Sequence, residues 1–194
     1  MKFKKITLSQ VFKVLLVLFT AAVLFSARVK SWVMMGLMAL GFYNPHIPQI
    51  KPGEKLQSAP TLVVQTVDGK VLDLQQQKGK VVFINFWATW CPPCLAELPS
   101  INDLYLKVKD NPNIVFLSID ADNNLPKSSL FLKNKGYLFP VYSGNLTLPP
   151  AFYSGSIPTT LVIDKKGDVV FNHVDRANYA DEKFEQYLIS LSNQ

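Results

Sequence analysis

The sequence predicts an α/β fold, a central mixed β-sheet flanked by helices. Lys80–Trp87 (KVVFINFW) and Asn113–Asp120 (NIVFLSID) are near-continuous apolar runs, the mark of strands buried on both faces. Helical spacing follows each run, and shorter β-branched runs with turn signals stand before and after, in the order β-β-β-α-β-α-β-β-β-α. The composition agrees. A chain of 194 residues, 48% hydrophobic and 18% charged, is one ordinary domain plus a leader and is too apolar to be disordered.

The leader is expected to anchor the chain in a membrane. Lys2, Lys4 and Lys5 make its start basic, and Val14–Ala27 (VLLVLFTAAVLFSA) is free of charge between Lys13 and Arg28. That run falls short of the about 20 residues needed to cross hydrocarbon. Ile6–Phe12 is also mostly apolar, and Lys13 can snorkel to the headgroups, so a transmembrane helix is expected over residues 6–27 within an anchor of residues 1–30. The positive-inside rule then places the N-terminus in the cytoplasm and the rest on the periplasmic or extracytoplasmic side of the inner membrane. A cleaved signal peptide is the alternative. Its small-x-small site is poor, because Phe25 stands two residues before Ala27.

Residues 31–56 form a juxtamembrane helix and linker. Trp32–Tyr43 (WVMMGLMALGFY) is too short to span, and is expected to lie at the outer membrane face or to pack on a partner. Asn44–Lys55, rich in Pro and Lys, reads as a linker. The domain proper is residues 57–194.

The net charge of +6 belongs to the leader. Residues 1–55 hold eight Lys/Arg and one acid, whereas residues 56–194 hold twelve and thirteen. The domain is nearly neutral and has no basic face to track phosphates, so a nucleic-acid partner is excluded. Two cysteines exclude a disulfide-rich scaffold and a four-cysteine zinc site. A site of two cysteines and two histidines would consume every such residue in the chain, so no metal and no cofactor are expected.

Within the domain, Thr61–Val67 and Lys70–Leu74 flank Asp68-Gly69 as a hairpin. The Lys80–Trp87 strand leads into a helix over Cys91–Asp110, with Pro99 inside it. Asn113–Asp120 is the next strand, Pro126–Gly136 a helix and Phe139–Tyr142 a short strand. Gly144–Ser156 is a loop holding Pro149, Pro150, Phe152 and Tyr153, which either lines a substrate groove or is plain solvent loop. Thr159–Asp164 and Asp168–Asp175 make a second hairpin, and Asn178–Ser192 a closing amphipathic helix.

The chemistry lies in Trp90-Cys91-Pro92-Pro93-Cys94, where the central strand hands over to a helix. Two residues between cysteines on a first helical turn bring the sulfurs within bonding reach. The helix N-terminus favours a Cys91 thiolate. Pro92 and Pro93 cost little there, because no intrahelical partner awaits their N–H. A structural disulfide closing so short a loop gains little entropy, and half a metal site lacks further soft ligands. A redox-active pair is the reading that remains favoured.

Phe86-Trp87-Ala88-Thr89-Trp90-Cys91-Pro92-Pro93-Cys94 resembles the thioredoxin active-site segment. Cys94-Leu95-Ala96-Glu97-Leu98-Pro99 is similar to the C-x-x-E-x-P run of the membrane-anchored TlpA/ResA-type thiol–disulfide oxidoreductases, and Gly155–Asp164 resembles their proline loop. The resemblance implies a thioredoxin-like fold over roughly residues 57–192 and gives each residue a role. Cys91 becomes the attacking nucleophile, and the more buried Cys94 resolves the mixed disulfide. Glu97 becomes a buried carboxylate that assists proton transfer, and its position three residues past Cys94 puts it on the same helix face. Pro158 becomes a cis-proline facing the cysteines, and Ile157 presents its backbone to an incoming chain. Trp90, Pro92 and Pro93 shape the docking surface, while Trp87 is core. Asn85 stands where thioredoxin proper carries an aspartate, which moves proton handling to Glu97.

The implied activity is reduction of disulfides in extracytoplasmic proteins, apocytochrome c being one candidate, with electrons from a membrane or periplasmic donor. Two other readings compete. Peroxiredoxins place a threonine three residues before the reactive cysteine, where this chain has Ala88. Thioredoxin-like copper chaperones use C-x-x-x-C plus a distant histidine; the spacing here differs, although His173 is available.

Overall fold

The computed structural model describes residues 8–40, 42–48 and 57–194. Two helices, α1 (Leu8–Phe25) and α2 (Ala27–Ala39), precede the domain. The domain runs β1 (Val63–Gln65), β2 (Val71–Asp73), β3 (Val81–Trp87), α3 (Pro92–Val108), β4 (Ile114–Asp120), α4 (Leu125–Lys135), β5 (Val141–Gly144), β6 (Thr159–Ile163), β7 (Val169–Val174) and α5 (Glu182–Ser192). The seven strands form one mixed sheet in the order β2-β1-β5-β4-β3-β6-β7. β3 lies near its centre, parallel to β4 and antiparallel to β6.

Every β3 side chain is buried. Successive residues point to opposite faces, so Val81, Phe83 and Trp87 join the cluster with α3, α4 and α5. Val82, Ile84 and Phe86 face the other way. That second face is closed by Leu62, by Leu74 in a short 3-10 turn and by Phe152, with no α-helical residue in the cluster. Asn85 shares the parity of Phe83 and Trp87, so the alternation sends its polar side chain to the α3 face.

Helix ends follow local chemistry. Asn124 caps α4, Pro126 sits in its first turn, and Gly136 closes it at φ 73°, a conformation that favours glycine. Asp181 caps α5 by accepting from the N–H groups of Lys183 and Phe184. The closing helix, expected from Asn178, starts at Glu182 behind its Asp181 cap, and strand boundaries move as well. The first hairpin is shorter than its β-branched run, and β5 starts two residues late. Pro140 has no N–H to donate, and the pairing runs onward through Val141 and Tyr142 on β4 and through Ser143 and Gly144 on β1. A Cβ at Gly144 would lie 2.4 Å from the Val63 carbonyl oxygen, so only glycine fits that close approach.

Among the described residues no helix is long and apolar enough to cross a membrane. α1 has 18 residues, and a rise of 1.5 Å each gives roughly 27 Å against about 30 Å of hydrocarbon. Residues 6 and 7 of the expected span lie outside the described residues. Trp32–Tyr43 was expected to lie against the membrane or a partner. Its helical part belongs to α2, which packs on α3 of the same chain.

Candidate active site

Cys91 is the N-cap of α3, with Pro92 and Pro93 in the first helical positions. The two cysteines are joined in a disulfide, with S–S 2.08 Å and Cα atoms 5.3 Å apart. The Cys94 N–H donates to Cys91 Sγ at 3.3 Å. The same donor, with the helix dipole, would stabilise a Cys91 thiolate in the reduced state. The structure encloses Cys91 more than its expected role suggests: 3% of it is exposed, against 0% for Cys94.

The Ile157–Pro158 peptide bond is cis. The Ile157 carbonyl oxygen lies 3.9 Å from Cys91 Sγ, so the proline loop meets the cysteine turn. Trp90 is 60% exposed at the rim, and its indole N–H donates to Asp122 Oδ2 at 2.7 Å. Trp87 is wholly buried. The Gly144–Ser156 loop is not plain solvent loop: Phe152 is buried, and Tyr153 stacks on Phe86 with ring centroids 4.3 Å apart.

Glu97 lies one turn past Cys94 and is fully buried. Its Oε1 accepts from Asn85 Nδ2 at 2.7 Å, and its Oε2 accepts from the Ala177 N–H at 3.2 Å. Burial pushes its pKa from 4.5 up to about 8. The two donors pull the other way, and the negative charge of Asp175 adds to the rise. Glu97 therefore holds its proton at neutral pH and can release it within the range where thiols ionise. Asn85 also donates to Thr160 Oγ1 at 3.0 Å, and its Oδ1 has no partner among the described residues. An unsatisfied buried acceptor costs about 1–3 kcal/mol. Asn85 thus spends its donors on Glu97 and Thr160 at some cost to stability, and is not a core amide bonded to backbone.

The structure thus brings together Cys91, Pro92, Pro93, Cys94, Ile157 and Pro158, with Glu97 bound behind the helix turn and Trp90 at the rim. Sequence reasoning missed Thr160, Asp122 and the Ala177 N–H. Thr160 was findable, being the residue opposite Asn85 across the β3–β6 pair. The Ala177 donor comes from a loop with no motif of its own. Both histidines line a separate cavity of about 460 Å³ beside β7. Among the described residues no group of three or more His, Cys, Asp or Glu could hold a metal ion.

The chain matches the Redoxin family over residues 51–188. It is 39% identical over 143 residues to the thiol-disulfide oxidoreductase ResA of Bacillus cereus, covering 72% of this chain and 81% of that one. It is 32% identical over 153 residues to the thioredoxin-like protein YneN of Bacillus subtilis, covering 75% and 90%. Among solved structures it is similar to a thiol:disulfide interchange protein of Chlorobium tepidum, with TM-score 0.61, 30% identity and 73% and 99% coverage. It is also similar to the exposed lipoprotein thioredoxin of Streptococcus pneumoniae, with TM-score 0.53, 26% identity and 70% and 100% coverage.

Proposed function

The chain belongs to the Redoxin family as a ResA-like thiol–disulfide oxidoreductase of the thioredoxin superfamily; on that premise we propose that it reduces disulfides in protein substrates outside the cytoplasm, from a membrane anchor. The observation that carries the reading is the Cys91–Cys94 disulfide at the N-terminus of α3, against the Ile157–Pro158 loop.

In the reduced enzyme the Cys91 thiolate attacks one sulfur of a substrate disulfide. A mixed disulfide forms, and the first substrate sulfur leaves as a thiolate that takes up a proton. Cys94 then attacks Cys91 Sγ, the mixed disulfide breaks, and the second substrate sulfur leaves. The substrate gains two electrons and two protons, and the enzyme ends as the Cys91–Cys94 disulfide. Cys94 must lose its proton for the second step. Glu97, one turn along the same face, is the group placed to accept that proton once its own carboxyl has ionised, which a pKa of about 8 allows in the range where thiols titrate, and to return it afterwards. Trp90, Pro92, Pro93 and Ile157 form the surface on which a substrate chain rests. A membrane or periplasmic thiol donor returns the enzyme to its reduced form, and apocytochrome c is a candidate substrate.

Anchoring is supported by the basic N-terminus and by α1, where Val14, Leu15, Leu16, Val17, Leu18 and Phe19 are each more than half exposed. Apolar surface that continuous is the kind lipid covers. The extracytoplasmic side is supported by the lysine-rich start and by the exposed lipoprotein thioredoxin among the similar structures.

Cysteine variants test the roles. Cys94→Ser is expected to accumulate mixed disulfides with its substrates, separable on non-reducing gels, whereas Cys91→Ser traps none. Partners recovered with Cys91→Ser instead would reverse the assignment. Stoichiometric Cu(I) retention without disulfide turnover would favour the copper-chaperone reading.

A further inference from the structure

The segment that precedes the domain grips the site at two places. In α2, Ser31 is buried, and its Oγ–H donates to the Pro92 carbonyl oxygen at 3.0 Å, inside the cysteine turn. Beyond α2, the Tyr43 carbonyl oxygen accepts from the Asn178 N–H at 2.7 Å. The Tyr43 hydroxyl accepts from Arg176 Nη2 at 2.7 Å, and the guanidinium carbon sits 4.2 Å from the ring centroid. Asn44 Nδ2 donates to Asp181 Oδ2 at 2.8 Å, Pro45 is buried, and Ile47 packs on the core. The expected linker starts as a strap.

What the strap holds is the connection from β7 to α5. Its Asp175 N–H donates to the Pro158 carbonyl oxygen at 3.0 Å, and its Ala177 N–H donates to Glu97 Oε2 at 3.2 Å. Asp175 has φ 107°, which side-chain-bearing residues rarely adopt. Such a backbone persists only where its surroundings over-determine it. Tyr43 contacts both residues that flank Ala177.

We propose that Tyr43 is a positioning residue for the exchange site, clamping Arg176 and Asn178 so that the Ala177 N–H is held against the Glu97 carboxylate. The consequence for catalysis rests on the reading of Glu97 as proton carrier; the geometry itself concerns only where Glu97 titrates. The groups facing Glu97 are Asn85 from β3, the cysteine pair one turn away on α3, and Asp175, Ala177 and Tyr179 from the β7–α5 connection. Arg176 is turned away onto Tyr43.

The test follows Glu97 directly. The full chain, oxidised and in detergent micelles, carries glutamate labelled with ¹³C at the side-chain carboxyl. The Glu97 resonance is assigned by its loss in Glu97→Gln. Losing a donor to a carboxylate favours the neutral form, so Tyr43→Ala is expected to move the titration midpoint up by about 0.5 pH unit. Tyr43→Phe keeps the ring against the guanidinium and loses only the hydroxyl, and is expected to move it less. Arg176→Lys, which loses the planar fork, serves where Tyr43→Ala does not fold, and is also expected to move the midpoint upward. A midpoint unchanged in whichever of these two variants folds overturns the proposal. The pH profile of disulfide reduction, run in parallel, separates the two readings. A midpoint that moves while the profile does not keeps Tyr43 as positioner and removes Glu97 as proton carrier. A profile changed by Glu97→Gln with an unmoved Tyr43→Ala midpoint does the reverse.

Discussion

Glu97 is fully buried yet bound at both oxygens, by Asn85 and by the Ala177 N–H. Its pKa in the folded chain is about 8, against an ordinary 4.5. Between those values the folded state binds more protons than the unfolded state, so stability is fullest below 4.5 and falls as pH rises through 8. Glu97→Gln removes this dependence. Denaturant midpoints measured at pH 5 and pH 8.5 are expected to draw together in the variant; a fall as steep as the parent's would contradict the account. The sequence placed Glu97 on the face of Cys94 through simple helical spacing. It also marked Asn85 as unusual, but not what Asn85 holds. Strand alternation, which puts residue 85 with Phe83 and Trp87, carried that information. The Ala177 donor was not legible, because nothing in either segment announces a pairing eighty residues apart.

At the scale of elements, α3 joins the chemistry to the core. Its first turn holds the disulfide, and Leu98, Ile101, Leu104 and Val108 run down one buried stripe onto Phe83 and Phe116 of the sheet. Leu104 is wholly buried at its centre, so Leu104→Ala is expected to cost about 2–5 kcal/mol of unfolding free energy. A loss below about 1 kcal/mol in urea titrations would mean that the stripe is not packed as described. The strand and helix order was legible because the buried strands are apolar without interruption and the helices carry 3.6-residue spacing. Strand ends were less so: β5 is placed by its neighbours β4 and β1, and local preference does not reveal a partner. The 144–156 loop gave no periodic signal, and Phe152 and Tyr153 dock on the second sheet face, which no α-helix covers among the described residues.

At the scale of the whole molecule, charge divides the chain more sharply than composition does: the leader is basic and the domain nearly neutral. With α1 so apolar and exposed, the full chain is expected to stay in the membrane pellet through alkaline carbonate extraction. Release into the supernatant would argue against an anchor. The leader's basic and apolar pattern was plain in the sequence. Its hold on the site through Ser31, Tyr43 and Asn44 was not, because neither an apolar helical run nor the Pro- and Lys-rich stretch after it names the surface it docks on. The central proposal is that the Cys91–Cys94 pair of this thiol–disulfide oxidoreductase works as a reductant of protein disulfides. Equilibrating the full chain against a graded series of thiol–disulfide redox buffers and quantifying the two states gives the potential of that pair. The account predicts a value near that of thioredoxin, about −270 mV, whereas one near about −120 mV, the range of a strong protein oxidant, would contradict it.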